Sequence, residues 1–382
     1  MEGRLRDGTV FVGGDARRRF YDARGYGRPV EEGEARLALT PVEAAHLLYR
    51  GDLDAVVDGD HRLQFRGFLA RVGGLDTRVP VYADLRDRGF YLSPDREGWA
   101  PTAGDADFVV YPRGEGPDDG TVKYRVDAVG ERRSVPATRL DGRVLAVVDE
   151  ESEVTYFDTD RRDPSGGTTY RPSGRVQGSL LDERVLVPDP PEGLYGHGFY
   201  GQPLADRDDG AVQLSLVEAA HLATEGVLAV EGADGSPADD GTESPQAGAP
   251  DGGDDASDEP LGDVGDGEDA AGSAVLRLGR MLEGDRFDRR LVAYRTLRGR
   301  GLVPKTGFKF GADFRVYGTV ESVTDLPHAE ALVRVVPGDH EFDLRSLALD
   351  VRLAHGVRKQ MLFARVAANG DTDWLAASRL TP

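Results

Sequence analysis

The sequence lacks the residue types and the long apolar runs that several classes of protein and site require. It contains no cysteine, which excludes disulfide bonds and thiolate metal sites. No apolar run reaches the roughly 18–20 residues that span a bilayer, and the first residues, MEGRLRDGTVFV, lack the apolar core of a signal peptide. It also contains no HExxH motif and no Walker-type phosphate loop. We therefore expect a cytoplasmic protein with no membrane partner, no metal site and no cofactor.

Lysine is nearly absent, although the chain is rich in other charged residues. Of 47 basic residues only four are lysine and the other 43 are arginine, while Asp and Glu total 68, so the net charge is −21. The four lysines are Lys123, Lys305, Lys309 and Lys359. An acidic, lysine-poor surface is typical of proteins that work in molar salt, where a Debye length of about 3 Å screens the repulsion between carboxylates. A genome that favours arginine codons is the alternative explanation.

The negative charge is unevenly distributed along the chain. Residues 231–272 hold 14 acidic residues and no basic residue, whereas residues 274–382 hold 18 basic and 13 acidic residues and carry a net charge of +5. The acidic segment is rich in Gly, Ala, Ser and Pro and has almost nothing to bury, which predicts a disordered tether. An anionic partner is therefore to be sought at the locally basic C-terminal stretch.

Several stretches of the first half recur, in the same order, in the second half. Residues 26–53 match residues 200–228, and both contain VEAAHL. Further on, VPVYADLRDRGFYLSP resembles LVAYRTLRGRGLVPKT, and DFVVYPRG resembles DFRVYGTV. The offset between matching positions rises from 175 to 212 across the acidic segment. The chain is therefore predicted to be a fused duplication whose second copy carries the acidic segment as an insertion.

Local patterns predict an α+β fold. In LTPVEAAHLLYRGDL, Thr40 occupies the N-cap position of a helix, Pro41 the first helical position, and Glu43 completes a capping box. In RFDRRLVAYRTLRGRG, apolar residues recur at helical spacing before glycines end the helix. Strands, a helix over DLRSLALDVRLAHGVRK and a last pair of strands turning at Asn369 and Gly370 are expected to follow.

Three motifs in the C-terminal half suggest a family. They are FRVYG (Phe314–Gly318), LPHAEALVRVV (Leu326–Val336) and VRLAHGVRKQMLFA (Val351–Ala364). In this order and spacing they resemble the archaeal tRNA-splicing endonucleases. The resemblance extends over nearly the whole chain, since some archaeal members are fused two-repeat subunits that form homodimers. With the acidic composition, it suggests a halophilic archaeal source.

The resemblance and the internal repeat together divide the chain into four modules. Residues 1–72 and 174–282 are expected to be the small N-terminal α/β modules of the two repeats, and the second of them carries the insertion 231–272. Residues 73–162 are expected to form an inactive endonuclease-like module built on a mixed sheet. Residues 283–382 are expected to form the catalytic module.

The resemblance implies that Tyr317, His328 and Lys359 are the catalytic residues. Metal-free RNA cleavage needs the ribose 2′-OH deprotonated, the leaving 5′-oxygen protonated, and the charge on phosphorus stabilised. Imidazole changes its charge near neutral pH, so His328 suits the general acid. Tyr317 would be the general base, helped by the cationic Lys359, which would also hold the phosphorane oxygens. The expected products are a 2′,3′-cyclic phosphate and a 5′-hydroxyl.

Four further residues are predicted to contact RNA. Arg352 precedes Lys359 by seven residues, which would place both side chains on one face of a helix. The resemblance implies that Arg352 is one member of a pair that clamps a splayed base, and Trp374 occupies the position of the other, commonly an arginine. Trp374 could instead be a core residue of the last strand. Lys305 and Lys309 are read as phosphate contacts, since a retained lysine indicates a role that arginine does not fill.

The N-terminal half keeps only one of the three catalytic residue types. Tyr111 matches Tyr317, Asp141 stands opposite Lys359, and no histidine lies between Tyr111 and the middle of the chain. This half is therefore expected to be inactive. Its DEESE segment offers Asp149, Glu150, Glu151 and Glu153 between two strands. By resemblance this loop docks into a basic groove of the partner subunit at the dimer interface; the alternative is an ordinary acidic hairpin tip.

The sequence thus predicts a homodimeric endonuclease that cuts precursor tRNA at both intron boundaries. It would recognise a bulge–helix–bulge shape, since A-form RNA hides its bases in a deep, narrow groove. We expect no DNA partner. One alternative is a catalytically silent RNA-binding or assembly subunit of the same fold. The other is a metal-dependent nuclease that uses carboxylates, which cleavage in excess EDTA would exclude.

Overall fold

The computed structural model describes most of the chain. The described residues are 1–96, 104–204, 210–231 and 270–382. Glu231 ends a strand and Ala270 begins a helix, so both ends of the predicted acidic tether belong to regular elements. Residues 232–269, which make up the rest of the predicted tether, lie outside the described residues.

The chain forms two compact units. The first comprises Met1–Arg161, Glu341–His355 and Leu375–Pro382. The second comprises Arg162–His340 and Gly356–Trp374.

The described residues form seven α-helices and 23 strands. The helices are α1 (Pro41–Tyr49), α2 (Phe65–Arg71), α3 (Arg78–Asp87), α4 (Leu216–Thr224), α5 (Ala270–Glu283), α6 (Asp285–Gly299) and α7 (Leu344–Gly356). The first twelve strands are β1 (Glu2–Arg6), β2 (Thr9–Gly13), β3 (Arg28–Glu32), β4 (Ala35–Leu39), β5 (Ala55–Asp58), β6 (His61–Leu63), β7 (Leu92–Pro94), β8 (Phe108–Val110), β9 (Tyr124–Gly130), β10 (Ser134–Pro136), β11 (Arg143–Val148) and β12 (Val154–Arg161). The remaining strands are β13 (Val176–Leu180), β14 (Arg184–Val187), β15 (Gln202–Pro203), β16 (Val212–Ser215), β17 (Leu228–Glu231), β18 (Val303–Thr306), β19 (Phe314–Tyr317), β20 (Ala331–Pro337), β21 (Glu341–Asp343), β22 (Gln360–Val366) and β23 (Thr372–Leu380). The fold is therefore mixed α and β, and no helix among the described residues is long and apolar enough to cross a membrane.

The first unit contains a six-stranded sheet in the order β3-β4-β2-β1-β5-β6, in which only β1 and β5 run parallel. Its second sheet follows the order β7-β8-β9-β11-β12-β23, and the last six residues of β23 belong to this unit. A short β10–β21 pair completes it.

Helix α1 begins as the sequence predicts, and its cap connects to the core of the first unit. Thr40 and Glu43 form the capping box, and the Glu43 carboxylate also accepts a hydrogen bond from the amide of Gly27. On the same helix, His46 is buried, lies 3.1 Å from the hydroxyl of Tyr26 and packs edge-on against Tyr82. The capping residues and this aromatic cluster thus fix α1 to its neighbours.

The second unit has a five-stranded sheet in the order β15-β16-β14-β13-β17 and a second sheet in the order β18-β19-β20-β22-β23. Helix α4 begins at a capping box formed by Ser215 and Glu218. Its buried His221 lies 3.3 Å from the hydroxyl of Tyr200 and packs edge-on against Tyr294 of α6. Each unit therefore has a helix with a capping glutamate and a buried histidine that contacts two tyrosines.

The structure corrects one local prediction and adds one helix. Helix α7 ends at Gly356, and Arg358 has a positive φ of 56°, so Lys359 lies beyond the helix. The prediction that Arg352 and Lys359 project from one helical face is therefore wrong. Helix α5 was not predicted, and it packs against α4 and α6.

Candidate active site

Tyr317 lies at the end of β19 and is held by packing. It pairs with Val303 of β18, and the residue is only 5% exposed. The ring of Phe199 meets it edge to face, with ring centroids 5.5 Å apart. The guanidinium of Arg315 lies 5.8 Å from the centroid of the Tyr317 ring. These contacts fix the orientation of the phenol ring.

His328 is exposed on a segment without regular secondary structure that leads into β20. The segment is anchored on both sides of His328, because Leu326 and the buried Ala329 pack in the same apolar cluster as Tyr317. The anchored backbone presents the imidazole to solvent, where a substrate can reach it.

Lys359 lies in the connection between α7 and β22 and is half-buried. Its ammonium donates a hydrogen bond of 2.6 Å to the backbone carbonyl of Ala329. An ammonium group has three donors, so this contact leaves two of them for a substrate oxygen.

Ala329 therefore connects the three predicted catalytic residues. Its side chain packs in the cluster of Tyr317, its carbonyl binds Lys359, and His328 precedes it in the chain. The structure thus brings an imidazole, a phenol and an ammonium to one small region of the second unit, the three groups that metal-free RNA cleavage requires.

Two neighbours of this region were not identified from the sequence. Phe199 is separated from Tyr317 by more than a hundred residues, and its backbone has a positive φ of 52°, which is uncommon for a bulky residue. Glu330 was also missed: its carboxylate occupies the space that a Cβ on Gly318 would take, so a larger residue there would require this flexible side chain to move. The glycine directly after Tyr317 is the one sequence signal for this close approach.

Two of the predicted RNA contacts are wrong. Lys305 is buried, and its ammonium donates hydrogen bonds to Oε1 of Glu218 at 2.6 Å and to the carbonyl of Gly201 at 3.0 Å. It is therefore not available to an RNA phosphate. Trp374 is 1% exposed, with the guanidinium of Arg300 6.0 Å from its ring centroid, so it is a core residue and not a stacking surface.

The other two predicted RNA contacts are accessible. Arg352 is exposed on α7, and Lys309 is exposed on a 3₁₀ turn at Phe308–Phe310. Phe308, beside Lys309, is 87% exposed. An exposed ring next to a cation is a suitable surface for an unstacked base, but the roles of Arg352 and Lys309 remain predictions.

The acidic DEESE segment forms the turn between β11 and β12 in the first unit. Oδ1 of Asp149 accepts hydrogen bonds of 2.9 Å from the amides of Glu151 and Glu153. Ser152 has a positive φ of 66°, and Glu150 pairs with Arg132. Asp149 thus shapes the turn, whereas the three glutamates point their charges outward from an exposed tip.

The first unit lacks the corresponding chemistry. Tyr111 is buried and donates a hydrogen bond of 2.9 Å to Oγ of Ser93, and burial raises the pKa of its phenol. Asp141, at the position matched to Lys359, pairs with Arg161 at 3.4 Å. The first unit thus offers a phenol bound to Ser93 and a carboxylate paired with Arg161, without the imidazole and ammonium of the second unit at the matching positions.

Comparisons with known proteins find family models and relatives that match this chain. The family described as tRNA intron endonuclease, catalytic C-terminal domain, matches residues 287–374, and the N-terminal domain family matches residues 1–69 and 176–241. A tRNA-splicing endonuclease of Haloarcula marismortui is 54% identical over the full length of both chains. Those of Haloferax volcanii and Methanosarcina acetivorans are 50% and 34% identical, and the alignments cover this whole chain and 100% and 99% of the relatives. Among the described residues, no group of three or more His, Asp or Glu side chains could hold a metal ion.

Proposed function

The chain belongs to the tRNA-splicing endonuclease family and is an endonuclease of tRNA splicing, and from this premise we propose that it cuts precursor tRNA at both intron boundaries without a metal ion. The observation that carries the proposal is the convergence of Tyr317, His328 and Lys359 on Ala329. The close relatives come from halophilic archaea, which fits the acidic composition. We place the reaction in the cytoplasm.

In the proposed reaction the ribose 2′-oxygen attacks the adjacent phosphorus. The bond from phosphorus to the 2′-oxygen forms while the bond to the leaving 5′-oxygen breaks. Tyr317, as phenolate, accepts the proton of the 2′-OH, and His328, as imidazolium, donates a proton to the leaving oxygen. Lys359 binds the non-bridging oxygens, where negative charge accumulates in the transition state. The products are a 2′,3′-cyclic phosphate and a 5′-hydroxyl.

We further propose that the chain is a tandem duplication with one active and one silent half. The N-terminal family model matches twice, and both units bury a histidine among two tyrosines on a helix with a capping box. A symmetric homodimer would place two active halves at the two cuts of a bulge–helix–bulge RNA. Arg352 and Lys309 would contact that RNA.

The acidic loop at Asp149–Glu153 is proposed to hold the homodimer together. The second unit contains a cavity of about 550 Å³ lined by Arg184, Arg290 and Arg315 and also by Glu183, Glu218 and Glu283; Arg290 pairs with Glu283, and Lys305 with Glu218. Nε of Arg315 is buried and has no hydrogen-bond partner in the described part of the chain. We propose that the loop of one copy enters this cavity of the other, where a carboxylate would satisfy the arginine.

The test is cleavage of an intron-containing precursor tRNA followed by analysis of the new ends. We expect two cuts, cyclic phosphate and 5′-hydroxyl ends, and full activity in excess EDTA at constant monovalent salt. Ends with a 3′-hydroxyl and a 5′-phosphate would contradict the proposed attack by the 2′-oxygen. Loss of cleavage in EDTA that magnesium restores would revive the metal-dependent alternative.

A further inference from the structure

A cavity of about 160 Å³ in the second unit is separate from the proposed catalytic residues. Its floor contains Arg298, His221 and Tyr200, and its mouth contains the exposed Arg171 and Arg295. The volume exceeds what a single water molecule needs. Nothing in the proposed reaction uses these residues.

Two buried side chains that line the cavity carry polar atoms without a hydrogen-bond partner among the described residues. Arg298 is 7% exposed; its Nε donates to the hydroxyl of Tyr294 and its Nη1 to the carbonyl of Gly198, but its Nη2 has no partner among the described residues. His221 is 6% exposed, and its Nδ1 also has no partner in the described ranges. Buried polar groups are rarely left without a hydrogen bond, so both atoms indicate a missing ligand or solvent.

Nη2 of Arg298 is a hydrogen-bond donor, and Nδ1 of His221 is a donor in one of the two neutral tautomers. Nε2 of His221 lies 3.3 Å from the hydroxyl of Tyr200. When this hydroxyl donates to Nε2, the neutral imidazole carries its proton on Nδ1. Burial and the charge of Arg298 lower the pKa of His221 to about 3, which keeps the ring neutral. The floor of the cavity therefore offers an N–H from His221 and an N–H from a guanidinium.

The charges around the cavity favour an anion. The lining holds Arg171, Arg295 and Arg298 but one carboxylate, that of Glu225, and no ion pair of these three arginines is found among the described residues; the charge of Glu218, which acts on Arg298 and His221 from outside the lining, is paired with Lys305. A guanidinium is planar, always charged, and matches the geometry of oxyanions. A metal cation would be repelled by three positive charges.

The matching residues of the first unit lack part of this arrangement. Arg86 and His46 correspond to Arg298 and His221, but Nδ1 of His46 is satisfied by the hydroxyl of Tyr26. Ala83 occupies the position that matches Arg295. An arginine beside a buried histidine is thus shared by both units, whereas the additional cation and the unpartnered Nδ1 belong to the second unit.

We infer that this cavity, defined by Arg298, His221, Arg295 and Arg171, binds a phosphate-type oxyanion. Nη2 of Arg298 and Nδ1 of His221 donate to the oxyanion at the floor, and the two exposed arginines neutralise it at the mouth. The oxyanion is either a phosphodiester of the RNA substrate or free inorganic phosphate. The inference concerns binding alone and stands or falls independently of the cleavage mechanism.

The test is titration of the full-length protein with inorganic phosphate at constant ionic strength and constant potassium chloride, followed by calorimetry. The variant is Arg295→Ala, which introduces the residue that the first unit has. The control is Arg4→Ala, which removes the same charge from an exposed strand of the first unit. We expect Arg295→Ala to weaken phosphate binding by about tenfold or more, because one of the two positive charges that neutralise the oxyanion at the mouth is lost. Arg4→Ala should bind phosphate like the parent.

A spectroscopic readout tests the floor of the cavity. In protein with ¹⁵N-labelled histidine, phosphate should shift the Nδ1 resonance of His221, assigned by its loss in His221→Gln, and leave that of His46 unchanged. Equal phosphate affinity in the parent and Arg295→Ala, or an unshifted His221 resonance, would overturn the inference and leave the cavity to water.

The source of the oxyanion is decided with precursor tRNA. If an RNA phosphodiester occupies the cavity, RNA should displace inorganic phosphate, and Arg295→Ala should reduce the slope of log affinity against log salt by about one contact. If free phosphate is the ligand, the salt dependence of RNA binding should be the same for Arg295→Ala and Arg4→Ala, while the difference in phosphate affinity persists. Either result supports the oxyanion site.

Discussion

The ammonium of Lys305 donates a hydrogen bond of 2.6 Å to Oε1 of Glu218, and both side chains are buried. Burial would raise the pKa of the Glu218 carboxyl, but the charge and hydrogen bond of Lys305 lower it to about 2. The same carboxylate caps α4 and accepts the amide of Gly201. One of only four lysines in the chain therefore serves the fold.

We expect Lys305→Met to lower the free energy of unfolding by about 3–5 kcal/mol, because it leaves a buried carboxylate without its cation. Urea unfolding at constant potassium chloride measures the effect. The double variant Lys305→Met/Glu218→Gln should recover part of the loss. The matched control is Lys309→Met, at an exposed lysine four residues away. If Lys305→Met instead weakened RNA binding without changing stability, Lys305 would be a phosphate contact after all.

Local patterns were predicted well, whereas contacts between distant residues were not. The capping box of Thr40 and Glu43 depends on residues three positions apart, and the structure confirms it. Burial of Lys305 depends on Glu218, 87 residues earlier, and that contact leaves no periodic signal. The error about Lys359 is also physical: helical spacing continues through the sequence, but the helix stops at Gly356.

The candidate site shows the same contrast between what local sequence predicts and what depends on distant contacts. The three proposed catalytic residues could be named from motifs of the family resemblance, because the proposed chemistry requires particular residue types. Ala329, which connects them, has no distinctive chemistry and acts through a backbone carbonyl and a methyl group. Phe199 reaches Tyr317 only through the fold of the second unit. Trp374 could be either core or surface by sequence, and only its burial decides between these alternatives.

We expect Tyr317→Phe to remove most cleavage while RNA binding stays within about twofold, because the general base acts in the transition state. The control is Tyr111→Phe, which removes the matching hydroxyl of the first unit, where it only binds Ser93. Single-turnover cleavage of precursor tRNA distinguishes the two. Comparable rates for both variants would exclude Tyr317 as the base.

His328→Ala should slow cleavage by about 10²–10⁴-fold, which is the usual contribution of general acid catalysis. RNA affinity should be nearly unchanged. His61→Ala, at an exposed histidine of the first unit, provides the control for loss of an imidazole. The assignment fails if His328→Ala cleaves within a factor of two of the parent.

The two buried histidines should make the protein sensitive to mild acid. Burial and the charge of Arg86 lower the pKa of His46 to about 4, and the pKa of His221 is about 3 in the folded state. In the unfolded chain both are near 6.5, so the unfolded state binds more protons below that pH. The stability that depends on the two neutral histidines is therefore fully present above pH 6.5. It is lost as the pH falls toward their folded pKa values, and at pH 5 each histidine lowers the free energy of unfolding by about 2 kcal/mol.

Unfolding free energies at pH 7 and pH 5 check this expectation. His46→Asn keeps an acceptor for the hydroxyl of Tyr26 but does not titrate, so its loss of stability between the two pH values should be smaller than that of the parent. His61→Asn, at an exposed position, should lose as much as the parent. An equal pH dependence in all three proteins would show that His46 is not buried as a neutral ring.

The acidic turn between β11 and β12 provides the last prediction, and its geometry determines which residues to change. Asp149 binds two amides of the turn, so replacing it would alter the shape of the turn as well as its charge. Glu150, Glu151 and Glu153 are exposed, and the ion pair of Glu150 with Arg132 joins two well-exposed side chains and contributes little. These three glutamates can therefore be neutralised without disturbing the turn.

We expect Glu150→Gln, Glu151→Gln and Glu153→Gln together to weaken the proposed dimer, as measured by sedimentation at equal salt and concentration. Charges that stay exposed to solvent would have no effect on dimer formation in molar salt, because the Debye length there is about 3 Å. A loss of dimer therefore requires that the glutamates are desolvated at an interface, where unpairing a charge costs about 3–5 kcal/mol. The matched control neutralises Glu31, Glu32 and Glu34, three exposed glutamates at the turn between β3 and β4 of the same unit. If both triple variants keep the dimer fraction and the cleavage of the parent, the acidic turn is an ordinary hairpin tip.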